Sequence, residues 1–305
     1  MVRYIEPYDS TVDHQERLAT ILDGHEKVKE EAYEELDQLY WTILSQALRS
    51  TKGDDRERRW LVLRMVIGVR EPLDVPGLAE LMGSRDEETV HRALMPLQSV
   101  LRVSVDTRVV STLHASFPDF LVSANRSKEF YLDMNEHNTY MAMRCFEIMK
   151  RSLKFNICSL ETSSQLDKDI TAVQVRVNRA ISSGLFYASR YWGDHLYGAI
   201  PSRELWNMLD DFLENRLLFW MEVLNLKGWM GSGAAILLKG LTLLPEDESL
   251  NELRDKVQES WNFVTGYSAS GASDSTPHIY ISALAVASTD GFIGRRYLAQ
   301  TKGLV

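Results

Sequence analysis

The sequence predicts a mainly α fold: a helical segment, a winged helix-turn-helix with a small β-hairpin, an all-α helical domain and a short strand-like tail. Apolar residues recurring every three or four positions through most of the chain predict the helices. Two short β-branched runs, SVLRVSV and VVSTL, parted by Asp106, Thr107 and Arg108, predict the hairpin. Of 305 residues 45% are hydrophobic and 25% charged, the proportions of a globular chain. The start has no apolar signal-peptide core and no run approaches ~18 apolar residues, so a secreted module and a membrane protein are not expected. A formal net charge of -9 argues against general nucleic-acid binding. The two cysteines are too few for a disulfide framework and fit a reducing, cytoplasmic setting.

Residues 1–52 read as the first helical segment, with Leu36, Leu39, Tyr40, Ile43, Leu44 and Leu48 forming one stripe. The charged run HEKVKEEAYEE before it reads as a solvated face, and TKGDDRE as a boundary. Residues 53–125 carry the winged-helix pattern. RERRWLVLRMVIGV places Trp60, Leu63, Val66 and Ile67 on one side of a helix. Asp74 suits an N-cap, with Pro76 tolerated in the first turn that follows. Ser84 and Glu87 have capping-box spacing ahead of Val90, Leu94 and Leu97, and the hairpin comes next.

Residues 126–268 are helical again. Met141, Cys145, Met149 and Leu153 repeat every fourth position, and Trp206, Leu209, Phe212, Leu213, Leu217 and Trp220 form a stripe wide enough to bury. In 269–305, SASGASDS reads as a linker and PHIYISALAV alternates like a strand.

Few residues carry chemistry. Gly228, Gly231 and Gly233 in GWMGSGAA follow a helix, whereas a dinucleotide loop needs a strand there, so they predict a turn between helices. Asp210, Asp211 and Glu214 would hold magnesium only opposite a second acidic cluster on a facing helix. Lacking one, Asp210 and Glu214 read as the solvent face opposite Trp206 and Phe212. The histidines are scattered, and Cys145 sits on an apolar stripe as a buried thiol. No G-x-S-x-G occurs, so neither a catalytic nor a metal-binding residue is assigned. The third helix of the winged domain offers Arg85, Thr89, His91 and Arg92 to DNA. Asp86, Glu87 and Glu88 at its start would repel phosphate, which favours a protein–protein module. His114 is the one candidate site residue, at a strand-to-helix junction where a side chain can reach an interdomain cleft.

LHASFPDFL at 113–121, with PLQSVLRVS before it, resembles the end of the winged-helix domain of STAND-type signalling NTPases, the fungal NACHT-containing family with WD repeats in particular. RYIEPYDSTVDHQERLATIL, LDQLYWTILSQAL, SLKFNICSLET, ASRYWGDHL and LDDFLENRLLFWMEVLNL extend the resemblance, and TPHIYISALAV is similar to the segment before a propeller. The resemblance implies that 1–52 is the end of a first helical domain, 53–125 the winged helix, 126–268 the helical arm and 269–305 the tail preceding a propeller. The NTPase core and the propeller are not among these residues. Family members close on ADP and open on exchange for ATP. A histidine in a Met-His-Asp-like motif contacts the ADP phosphate, and Leu113-His114-Ala115 occupies that place with alanine third. His114 would then sense ADP only where an NTPase core is supplied. One such contact, worth roughly 1.5–3 kcal/mol, falls short of the ~4 kcal/mol that even millimolar affinity needs, so no cofactor of its own is expected. The resemblance implies a non-catalytic regulatory and scaffold fragment in signal transduction, with protein partners, NACHT-family proteins among them, rather than DNA or membrane. The alternatives are an acidic winged-helix transcription regulator and a free-standing adaptor or decoy for full-length relatives.

Overall fold

The computed structural model describes residues 33–48, 53–84 and 86–298. The readings made of 3–22, of most of the charged run at 25–35, of residues 51–52 and of Arg85 lie outside them. Helix dominates, and a two-stranded hairpin is the only sheet among the described residues.

Helix α1 spans 33–48 and buries Tyr40, Leu44 and Leu48, while Leu39 of the predicted stripe faces out. The Tyr40 ring packs 5.0 and 5.4 Å from those of Phe117 and Phe120. The winged unit follows as α2 (Asp54–Gly68), α3 (Val75–Leu81) and α4 (Glu87–Leu94), then β1 (Leu101–Val103) and β2 (Val110–Thr112). The strands are antiparallel, with Leu101 opposite Thr112 and Val103 opposite Val110. Asp74, between α2 and α3, makes an isolated antiparallel bridge to Val109 and so ties the start of α3 to the hairpin. Its carboxylate accepts from the Gly77 N–H at 2.9 Å and caps α3 as predicted, with Pro76 in the first turn. The predicted capping box does not form. Helix α4 begins at Glu87, too late for Glu87 to be its third residue, and Asp86 caps it by accepting from Glu88 N–H and the Thr89 hydroxyl.

Two short helices, α5 (Ser116–Leu121) and α6 (Ala124–Ser127), lead into the arm. The arm comprises α7 (Met134–Ser152), α8 (Val173–Ala180), α9 (Ser183–Tyr197), α10 (Arg203–Leu226), α11 (Gly233–Leu243) and α12 (Asn251–Ser268). Both predicted stripes are buried, Met141 to Leu153 on α7 and Trp206 to Trp220 on α10. Phe146, Trp192, Phe212 and Trp220 meet in tilted and edge-on pairs at the centre. GWMGSG is the predicted turn: Gly228 takes φ +72° beyond the end of α10, where the Trp229 N–H reaches the Leu224 carbonyl at 2.7 Å.

The tail differs from expectation. PHIYISALAV forms helical turns over Ile279–Ala283 and Leu284–Val286, not a strand, and SASGASDS is a short turn of helix leading into buried Ser275 and Thr276. A strand needs an edge to pair with, and none stands beside it among the described residues, so its N–H groups bond locally. Two carboxylates fix it in place. Asp167 accepts from the Thr276 N–H at 2.9 Å, and Glu222 accepts from the Tyr280 hydroxyl. Ile279, Tyr280 and Leu284 thereby join the hydrophobic cluster that runs from Tyr40 to Tyr297.

Candidate functional site

The densest polar construction joins the winged unit to the arm. Arg70, just past α2, donates its backbone N–H to the Tyr187 hydroxyl at 3.0 Å and its guanidinium to Asn138 Oδ1 at 3.1 Å. Tyr187 lies 2.7 Å from His195 Nε2, and His195 Nδ1 lies 2.9 Å from the same Asn138 oxygen. The proton positions follow from the donors. Asn138 Oδ1 can only accept, so His195 carries its proton on Nδ1 and accepts a hydrogen bond from the Tyr187 hydroxyl at Nε2. Burial, and Arg70 after it, drive His195 well below the ordinary histidine range, which keeps the ring neutral.

His137, one residue before Asn138, is 1% exposed and neither ring nitrogen has a hydrogen-bond partner. Burial, with Arg64 and Arg70 nearby, lowers it to about 4. Its ring packs against the end of α2, where a Cβ on Gly68 would come within 1.9 Å of Nε2. Only glycine permits this approach.

Three further contacts join residues 71–80 to residues 182–190. Glu71 holds Arg190 at 2.7 Å, and the Arg190 guanidinium lies 3.6 Å from the centre of the Trp229 ring. Asp74 accepts from the Ser183 hydroxyl at 2.6 Å while capping α3, and Glu80 accepts from Ser182 at 2.6 Å. A single short segment, 70–80, therefore supplies four side chains to the arm.

His114 is exposed, just before α5. Its Nδ1 accepts from the Ser116 N–H at 3.2 Å and lies 2.6 Å from the Ser116 hydroxyl, which also meets Tyr40 at 2.8 Å. With Nδ1 occupied as an acceptor, the neutral ring carries its proton on Nε2, the atom left to solvent. The charges at the start of α4 are paired: Arg108 of the hairpin turn meets Glu87 at 2.6 Å and Arg92 meets Asp86 at 3.8 Å.

Asp210 and Glu214 are not a plain solvent face. With Glu252 they converge on Lys256 of α12, at 2.8, 2.7 and 3.3 Å. No group of three or more metal-ligating side chains occurs among the described residues. Cys145 and Cys158 are both buried free thiols, and burial pushes each above the usual thiol range, Cys158 to about 11. No helix among the described residues is long and apolar enough to cross a membrane.

Arg70, His137, Asn138, Tyr187, Arg190 and His195 were not singled out by sequence reasoning. The signal was a polar residue interrupting an apolar stripe: Asn138 in the series Met134, Met141, Cys145, Met149, and His195 in the series Leu185, Ala188, Trp192. Comparison with known protein families, with characterised proteins and with solved structures finds no match for this chain.

Proposed function

We propose that the chain is a non-catalytic regulatory module of NACHT-type signalling. In this reading the winged helix senses the nucleotide state of an NTPase core and the helical arm carries that state onward. The observation that supports it best is the polar seam: a relay needs its sensor end fastened to its output end, and segment 70–80 is bonded to α7 and α9 at four side chains. His114 supports it from the other side, because its Nε2–H is preset as an outward donor of the kind a phosphate oxygen accepts. The paired charges of α4 weaken the DNA-binding alternative, since a helix start with compensated arginines presents no excess charge to phosphate.

The test is binding of this chain to the isolated NTPase core of a NACHT-family protein, loaded with ADP or with an ATP analogue. We expect the ADP-loaded core to bind at least roughly tenfold more tightly, a coupling of about 1.4 kcal/mol, with His114→Ala erasing the difference. Titration of ADP into the chain alone should show no heat. Micromolar ADP binding by the chain alone, or affinity for the core that ignores the nucleotide, would refute the reading.

A further inference from the structure

A cavity of about 270 Å³ opens between the loop at 155–163, α10 and the turn at 276–281. Among the residues that line it is Glu222, 2% exposed. Its carboxylate accepts from the N–H groups of Asn156 at 2.9 Å and Ile157 at 3.0 Å, and from the Tyr280 hydroxyl. A carboxylate offers about four acceptor positions, so roughly one remains. No lysine or arginine pairs with it among the described residues, and burial outweighs the three hydrogen bonds, pushing the carboxyl up to about 7.

The neighbouring ionisable groups are committed elsewhere. Glu161 pairs with Arg176 at 3.3 Å, Asp167 holds Thr276, and His278 sits between the Ser282 hydroxyl at 2.7 Å and the Ser163 carbonyl at 3.2 Å. Cys158 is a neutral thiol. Glu222 is thus a buried acid facing a cavity with no countercharge. The lining is mixed: Asn156, Thr162, Ser163 and Thr276 are polar, while one side is aromatic and apolar, with the Phe155 and Tyr280 rings edge-on at 4.9 Å and Ile281 beside them. No group of three or more acidic, histidine or cysteine side chains able to hold a metal forms here among the described residues, whereas an ammonium group asks only for acceptors and tolerates an aromatic face.

We propose that this cavity binds a primary alkylammonium group, whose charge meets Glu222 and whose alkyl chain lies against Phe155 and Ile281. The inference is independent of the signalling role. Isothermal titration at about pH 6, where Glu222 holds its proton, tests it with three probes: n-butylammonium, N-acetyl-lysine amide and 1-butanol. Butylammonium should bind at least roughly tenfold more tightly than butanol, with proton release seen as buffer-dependent heat. N-acetyl-lysine amide binding more tightly than butylammonium assigns the site to a lysine side chain of a protein partner; the reverse order assigns it to a free amine. Ile281→Trp fills the cavity without touching the Glu222 hydrogen bonds and should abolish binding while the melting temperature holds. Equal binding of butanol, no binding of butylammonium, or unchanged binding by Ile281→Trp overturns the proposal.

Discussion

Gly68→Ala places a Cβ 1.9 Å from His137 Nε2 and 2.1 Å from Cδ2, inside any allowed contact. Glycine is helical at this position, so alanine should gain about 0.5–1 kcal/mol from propensity if the space were open. The space is not open, and the ring is 1% exposed with the arm behind it. Overpacking a closed site costs about 1–3 kcal/mol, so a net loss of roughly 1–2 kcal/mol is expected. His137→Ala removes the obstructing ring, and in that background Gly68→Ala should be neutral or stabilising by up to ~1 kcal/mol. The coupling energy of the double-mutant cycle is therefore about 1–3 kcal/mol. Urea unfolding followed by tryptophan fluorescence reads each variant as a shift of midpoint at constant slope. If Gly68→Ala shifts the midpoint equally with and without His137, the winged unit does not sit on the arm as described.

Acid should weaken the same junction. His137 is about 4 in the folded chain against an ordinary 6.5, so the unfolded chain takes up the proton first as pH falls below 6.5. That amounts to roughly 3 kcal/mol of stability lost between pH 6.5 and 4, and His137→Leu should remove it, as unfolding at the two pH values will show. Glu222 has the opposite sign. Raised from 4.5 to about 7, it costs stability as pH climbs through that interval and so offsets the His137 loss over much of the same range; Glu222→Gln should make the loss in acid steeper. Lys256→Met leaves Asp210, Glu214 and Glu252 facing one another across α10 and α12. Because those carboxylates are a third or more exposed, the expected loss is only about 1–2 kcal/mol, shrinking at high salt.

The helices were legible because burial repeats at the helical period. The stripes on α7 and α10 needed only the spacing of Met141 to Leu153 and of Trp206 to Trp220. Asp74 was legible as a cap because its partner, Gly77, is three residues away. What depends on distant partners was not. Arg70 finds Asp194 across 124 positions and Asp74 finds Ser183 across 109, and no local pattern encodes either pairing. The tail failed for the same reason. Alternation of Ile279, Ile281 and Ala283 suits a strand, but Asp167 and Glu222, more than fifty positions upstream, capture it as helical turns. The surroundings of His114 were not legible either: the Nδ1 contact with Ser116 depends on how the chain turns into α5.

Whether the seam can serve as a relay is a question of relative energies. Coupling between two sites in a signalling protein is commonly about 1–3 kcal/mol. Hydrogen bonds to charged groups contribute about 1.5–3 kcal/mol each when shielded from water. The pairs Arg70–Asn138, Arg190–Glu71 and Ser183–Asp74 are partly buried bonds to charged groups, with the side chain of Arg190 only 13% exposed, while Ser182–Glu80 is exposed to solvent. Even halved for partial exposure, their sum exceeds the coupling they would transmit, and the Gly68–His137 contact adds steric resistance to sliding. A force on the winged unit should therefore move the arm before it opens the seam. Arg190→Ala with Asp74→Ala removes two of the four bonds while sparing His114 and α4. The double variant should bind an NTPase core with native nucleotide preference, yet the amide exchange of α9 and α10 should no longer differ between ADP and ATP states. If that difference survives, the signal reaches the arm by another route and the seam is only structural.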